Sequence, residues 1–160
     1  DKLAMVLDYV LYESEDELVS PKAEIEFARN LIEINKVKLS PLFDIRVNFD
    51  IDELNDSMLN MPSLVPLMSV DLIENAFKHA DFHGPDSFIA ILLTFKNGLF
   101  ELVVSNRISK RSPLQKSKSG IGSKTLEERL LLYYPGRHQL RRFVENDVYT
   151  AHLQIRLYVD

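Results

Sequence analysis

The 160-residue sequence contains no cysteine, which excludes disulfides and thiolate metal sites within it and fits a reducing compartment. No stretch approaches the roughly eighteen consecutive apolar residues of a membrane helix, and no signal peptide is visible. An overall basic excess is missing too. The formal net charge of −5 argues against a dedicated nucleic-acid binder. What is present is ordinary for a soluble globular protein, with 46% hydrophobic and 27% charged residues. The length suits one domain, or one domain with an appendage, and suffices for a real core. The chain opens "DKLAMVLDYVLY", without an initiator Met and already in helical pattern. It reads as a fragment of something longer.

Leu3, Leu7, Val10 and Leu11 recur at helical spacing and predict a helix over 2–13. Ser20-Pro21 looks like an N-cap followed by proline at the first helical position, opening a second helix to about Val37. In "FDIRVNFDI", residues 43–51, Phe43, Ile45, Val47, Phe49 and Ile51 alternate with polar residues, the pattern of a half-buried strand. "NDSMLNMP" reads as loop, and a helix is expected over about 65–80. Two strands joined by Asn97-Gly98 follow, the strongest short hairpin signal. A helix is then expected from about Thr125 to Tyr134, with Thr125 and Glu128 spaced for a capping box. A last hairpin closes the chain, with Tyr149, Ala151, Leu153, Ile155 and Leu157 as its buried row. Hairpins dominate this order, so the expected fold is α+β: a two-layer sandwich of one mixed, mainly antiparallel sheet with helices on one face.

The segment "LIENAFKHA", residues 72–80, sets polar groups into a helix former. At 100° per residue, Asp71, Glu74, Asn75 and Lys78 share one arc, and Leu72, Ile73, Ala76, Phe77 and Ala80 lie opposite. The plain explanation is a solvent face with a Glu74–Lys78 ion pair, worth roughly 0.2–0.5 kcal/mol. Asn75, a weak helix former in mid-helix, argues for more. An amide oxygen beside a carboxylate is a good pair of hard ligands for Mg²⁺, and Lys78 could meet a phosphate.

Between Glu101 and Glu127 there is no acid at all, while Arg107, Lys110, Arg111, Lys116, Lys118 and Lys124 gather there. This loop is too long for ordinary connection work. It ends in Gly120-Ile121-Gly122 directly before the expected helix. Glycines let backbone approach a ligand, and a helix N-terminus offers free N–H groups with a positive dipole end. The alternative is a solvated lid. The pattern lacks GxxxxGK[ST], so it is no P-loop.

Together, "LIENAFKH", a hairpin ending "LVVSN", and "GIGSKTLEERLLLYYPGRHQL" resemble the ATP-binding catalytic domain of LytS-like sensor histidine kinases. That group belongs to the superfamily of gyrase, the Hsp90 chaperones and MutL. The resemblance covers about 1–158. It implies a Bergerat-type ATP-binding fold over 39–160, preceded in 1–38 by the end of a dimerisation helix and a connecting helix. It further implies that Asn75 holds Mg²⁺ against the ATP phosphates, that Glu74 orients or activates the metal's water, and that Lys78 and His79 lie near the phosphates and the nucleotide. Lys118, Gly120, Ile121, Gly122, Lys124 and Thr125 would belong to the loop and helix start that fold over the phosphates, and Ser105 and Asn106 would meet the base. The implied reaction is transfer of the γ-phosphate of ATP to an upstream histidine. Also implied are a homodimer through upstream helices, a response-regulator partner, and a cytoplasmic position in a membrane-attached protein, with no membrane contact by this part.

The sequence departs from the family in places. Ser105, Asn106 and Arg107 align with the usual Asp-Asn-Gly. A neutral acceptor at position 105, at roughly 0.5–1.5 against 1.5–3 kcal/mol for a charged one, implies about tenfold weaker adenine binding. Val148-Tyr149-Thr150 stands where the family has Gly-Thr, Ser occupies position 123 for Leu, and Thr occupies position 125 for Asn. None of His79, His83, His138 and His152 has the His-Phe-Leu-Phe-Asn setting of a phospho-acceptor. The alternative is therefore a degenerate domain of the same fold acting as a dimerisation and signalling scaffold. Nucleic-acid binding by the basic loop would need interleaved aromatics, and it has none.

Overall fold

In a computed structural model, residues 1–12, 18–53, 57–109 and 121–158 are described, with only the backbone for 10–12 and 121–125. Helix α1 (Lys2–Tyr12) packs against α2 (Pro21–Lys36). Ser20 caps α2 as expected, its Oγ accepting the Ala23 N–H at 3.1 Å, with proline at the first turn. Tyr9 joins the two helices: its ring stacks on Phe27 with centroids 4.5 Å apart, and its hydroxyl donates to Glu24.

Among the described residues, five strands form one sheet in the order β1-β2-β3-β5-β4. They are β1 (Asp44–Ile51), β2 (Phe88–Lys96), β3 (Leu99–Arg107), β4 (His138–Glu145) and β5 (Val148–Arg156). Only β1 and β2 run parallel, joined through α3 (Val70–His79), since parallel neighbours need a crossover. The other pairs are antiparallel. Helix α4 (Ile121–Tyr133) links β3 to the last hairpin. The α+β fold with one mixed, mainly antiparallel sheet is as the sequence predicts.

Both hairpins turn on two residues of positive φ: Asn97 and Gly98 at 52° and 75°, Asn146 and Asp147 at 52° and 62°. That geometry matches the twist of the strands it joins. A Cβ on Gly98 would come within 2.7 Å of Tyr158 Cδ1 and 2.9 Å of Met58 Sδ, so the position also needs the missing side chain. Alternation divides every strand. Val47, Ile91, Val104 and Ala151 form one cross-sheet row on the helix-covered face, and Phe49, Leu93, Leu102 and Leu153 form the next.

Three element boundaries differ from expectation. Residues 65–69 are not helical, because their backbone groups are committed elsewhere: Val65 N–H to the Tyr134 hydroxyl at 2.9 Å, and those of Leu67 and Ser69 to Glu24 at 3.0 and 3.2 Å. Leu67, at φ 66°, interrupts the helical path. Helix α4 begins at Ile121 rather than Thr125, so Thr125 lies inside the helix and cannot be its N-cap. Finally, the expected loop "NDSMLNMP" contains a short 3₁₀ turn, Ser57–Asn60.

Candidate functional site

Helix α3 sends its polar residues to two flanks. Leu72, Ile73 and Ala76 are buried in the core, Asp71 and Asn75 are half-buried, and Glu74 and Lys78 are exposed. The expected Glu74–Lys78 ion pair is not formed: among the described residues neither side chain has a salt-bridge partner. Both instead line a cavity on the α2 side that does not include Asn75. Asp71 feels the opposite flank. Burial raises its carboxyl above the ordinary range, against the nearby charges of Arg129 on α4 and Arg142 on β4.

The C-terminal end of α3 is stitched to the end of β3. Asp81 N–H donates to Arg107 O at 2.9 Å, Ser109 N–H to His79 O at 3.1 Å, and Ala80 bridges to Ile108. His79 is 8% exposed, and burial, with Lys78 beside it, lowers its pKa below the ordinary histidine value. This stitching sets the last turns of α3 and the residues around Asn106 at one end of the molecule.

Strand β3 separates Ser105 from Asn106. Phe100, Leu102, Val104 and Asn106 face the helices, while Glu101, Val103 and Ser105 face away from them. Ser105 accepts from Thr150 Oγ1 at 3.4 Å on that outer face. Ser105, expected to meet the base, thus lies on the side of the sheet opposite the helices. Asn106 occupies the inward position, 1% exposed, with Ile89 and Tyr149 as its strand neighbours. Its Nδ2 donates to Arg107 O at 3.1 Å, but its Oδ1 is buried with no hydrogen-bond partner among the described residues. A buried acceptor left unpaired costs about 1–3 kcal/mol and calls for an explanation.

Beside Asn106, Tyr149 is half-buried and its phenol is raised by burial, against the charge of Arg142. Arg142 lies on the inward register of β4 opposite Ala151, and its Nη1 donates to Glu127 on α4 at 3.3 Å. Arg142 was not among the sequence candidates. Its signal was available: it falls in step with Leu140 on the inner row of β4, where an arginine is out of place.

Lys118 and Gly120, with Lys110, Arg111 and Lys116, lie outside the described residues. The backbones of Ile121, Gly122, Lys124 and Thr125 form the first turns of α4. Gly122 thus belongs to the helix rather than preceding it. On the outer face, His152 Nε2 and Gln154 Nε2 each lie 2.6 Å from Glu101 Oε2. His83 is an exposed loop residue, and His138 Nδ1 lies 2.7 Å from Tyr134 O.

No protein-family model matches the chain, and no curated protein matches it in sequence. Solved structures do match in fold. The histidine kinase domain of the Erythrobacter litoralis EL346 blue-light activated histidine kinase is similar at 17% identity and a TM-score of 0.57, over 98% of this chain and 75% of that one. The Acinetobacter baumannii histidine kinase AdeS is similar at 11% identity and a TM-score of 0.52, over 99% and 76% of the two chains. A histidine kinase from Burkholderia phymatum STM815 aligns at 11% identity and a TM-score of 0.50, over 82% and 68%. The chain therefore has the α+β fold found in histidine kinase structures.

Proposed function

We propose that this chain is the Mg-ATP-binding catalytic domain of a LytS-like sensor histidine kinase, which positions the γ-phosphate of ATP for transfer to an upstream histidine. The observation that carries the reading is the orphaned Oδ1 of Asn106, buried on the helix-covered face at the same end as the last turns of α3. An acceptor held there suits the exocyclic amino group of adenine. Asn106, rather than Ser105, is then the base-reading residue, and Nδ2 is kept from competing by its bond to Arg107 O.

The residues present fit Mg²⁺. Asn75 offers one half-buried amide oxygen, with the carboxylates of Asp71 and Glu74 within one helical turn, and Mg²⁺ takes few protein ligands beside substrate phosphates and water. When bound it would neutralise and orient the phosphates. Asn75 would hold it, with Glu74 beside it orienting water. Lys78, exposed one turn on, would meet the phosphates, and the first turn of α4 with Gly122 would offer them backbone N–H groups. Most of the catalytic work in such a domain is positioning.

The family reading brings a homodimer through upstream helices, a response-regulator partner, and a cytoplasmic place in a membrane-attached protein. Exposed Leu3 and Leu7, one turn apart on α1, are consistent with a helix-packing face. Among the described residues no helix is long and apolar enough to cross a membrane.

A specific observation favours a second reading, the non-catalytic scaffold. Asn106 is covered, and Tyr149 is its neighbour where the family carries small residues. Isothermal titration separates the two. Mg-ATP should bind the wild type and lose affinity when EDTA removes Mg²⁺ or when Asn75 is changed to Ala. Absence of heat at millimolar Mg-ATP would favour the scaffold.

A further inference from the structure

We propose that the cavity between α2 and α3 is a second ligand site, sharing Glu74 and Lys78 with the nucleotide site but not Asn75 or Asn106, and that it takes a small amphipathic carboxylate. The cavity holds about 620 Å³, within the roughly 300–1,000 Å³ of small-molecule pockets. It forms where α2 ends and the chain reverses into β1. Lys38 and Leu39 N–H groups fold back to Asn35 O and Lys36 O, at 3.3 and 3.0 Å, which aims this turn at α3. Asn75 and Asn106 are not in its wall.

The wall is aromatic. Phe43 and Phe82 meet at 5.2 Å between ring centroids, tilted by 44°, and Phe77 joins them from α3. Phe82 is 39% exposed although the core lies close by, so an apolar surface is left to water beside this opening. A bound apolar body would cover it, at about 25 cal/mol per Å² removed from water.

The charges decide the ligand's sign. Lys38 and Lys78 both line the cavity, both are exposed, and neither has an ion-pair partner among the described residues. Among the described residues Glu74 is the one carboxylate in the wall, and it makes no ion pair with Lys78 despite the i,i+4 spacing. The nearby Asp81 is turned into its own loop, accepting the His83 N–H at 3.0 Å. Cations therefore outnumber anions around an aromatic floor. A bare phosphate would not use the rings, and an amine would oppose the lysines. A carboxylate on an aromatic or short aliphatic body uses both. Lys78 also stands on the helix that carries Asn75, so a ligand here would compete for a side chain within reach of the phosphates.

The test uses the whole chain without nucleotide, so its outcome does not depend on the kinase reading. Indole-3-acetate and 3-phenylpropionate are titrated by NMR and calorimetry beside their uncharged amides, with wild type, Lys38→Ala and Phe82→Ala. The expected result is saturable binding of the carboxylates that shifts resonances of Phe43, Phe77 and Phe82. The amides and Lys38→Ala should bind at least about tenfold more weakly, as loss of a charge-assisted contact implies, and Phe82→Ala should bind more weakly through lost apolar cover. Lys38 is exposed, so its variant should keep the wild-type thermal midpoint, separating lost binding from lost folding. No carboxylate binding at millimolar concentration, equal binding of amides, or full binding by Lys38→Ala would each overturn the proposal.

Discussion

Asn106 and Tyr149 are directly paired across β3 and β5 on the helix-covered face, so a half-buried phenol neighbours a buried amide oxygen that has no hydrogen-bond partner among the described residues. Side chains so paired sit about 4.5–5.5 Å apart at Cβ. The pair concentrates the question of function in one place, because a folded protein seldom leaves such an acceptor unmet.

The first prediction concerns base selection. Adenine presents an amino donor where guanine presents a carbonyl, and Oδ1 of Asn106 can only accept. ATP should be preferred to GTP by at least about tenfold, the equivalent of one unmet buried acceptor. Asn106→Leu should abolish that preference while changing unliganded stability by no more than about 1 kcal/mol, since one hydrogen bond and one orphan disappear together. Competitive displacement of a fluorescent nucleotide measures the first, and urea unfolding the second.

The second concerns Glu24, which is fully buried and accepts from Tyr9 O–H, Leu67 N–H, Ser69 N–H and Ser69 O–H. One carboxylate thereby ties α1, α2 and the entry to α3 together. Glu24→Ala strands these donors and should cost at least about 3 kcal/mol. Tyr9→Phe removes the bond to Glu24 and should cost about 1.5–3 kcal/mol. Chemical denaturation of both variants checks the order.

These two residues also show what the sequence could and could not reveal. The alternation of 43–51, the Asn97-Gly98 turn and the Ser20-Pro21 cap are local signals, and the structure follows each. The start of α3 is not local. It is set by a carboxylate 45 residues earlier in the chain, which takes the N–H and hydroxyl of Ser69. The start of α4 differs for a related reason: Thr125 has capping chemistry, but the helix already runs through it. The inward place of Asn106 was legible, since Phe100, Leu102 and Val104 set the period that reaches it. The Asp-Asn-Gly pattern sets its acid against Ser105, one residue before Asn106, and one residue in a strand is the other face of the sheet. Arg142, by contrast, gains meaning only once α4 brings Glu127 to it.

The third prediction is a pH dependence. Burial, then the charge of Lys78, lowers the pKa of His79 below 6.5. The folded state therefore favours the neutral ring, and below about pH 6.5 the unfolded chain binds the proton more readily. His79 contributes stability that is present above pH 6.5 and lost as pH falls from there toward its folded pKa. His79→Gln should flatten the fall in stability over that window, measured by urea unfolding at stepped pH. An unchanged slope would remove His79 as its source.

The fourth concerns the β2–β3 turn. Gly98 has φ 75°, and a Cβ there would press on Tyr158 and Met58. Gly98→Ala should destabilise by about 1–3 kcal/mol, lowering Tm by roughly 2–12 °C in a domain of this size. Differential scanning calorimetry reads this directly, and nucleotide preference should be untouched because the turn lies at the opposite end of β3 from Asn106.

The most direct test of the central claim is thermal unfolding with and without Mg-ATP, for wild type and Asn75→Ala. Ligand at a hundred times its dissociation constant adds about 2.7 kcal/mol, which should raise the midpoint by roughly 5–11 °C. The account predicts a shift of that size that requires Mg²⁺ and disappears in Asn75→Ala. An unmoved midpoint at millimolar Mg-ATP, or an equal shift in the variant, would contradict it.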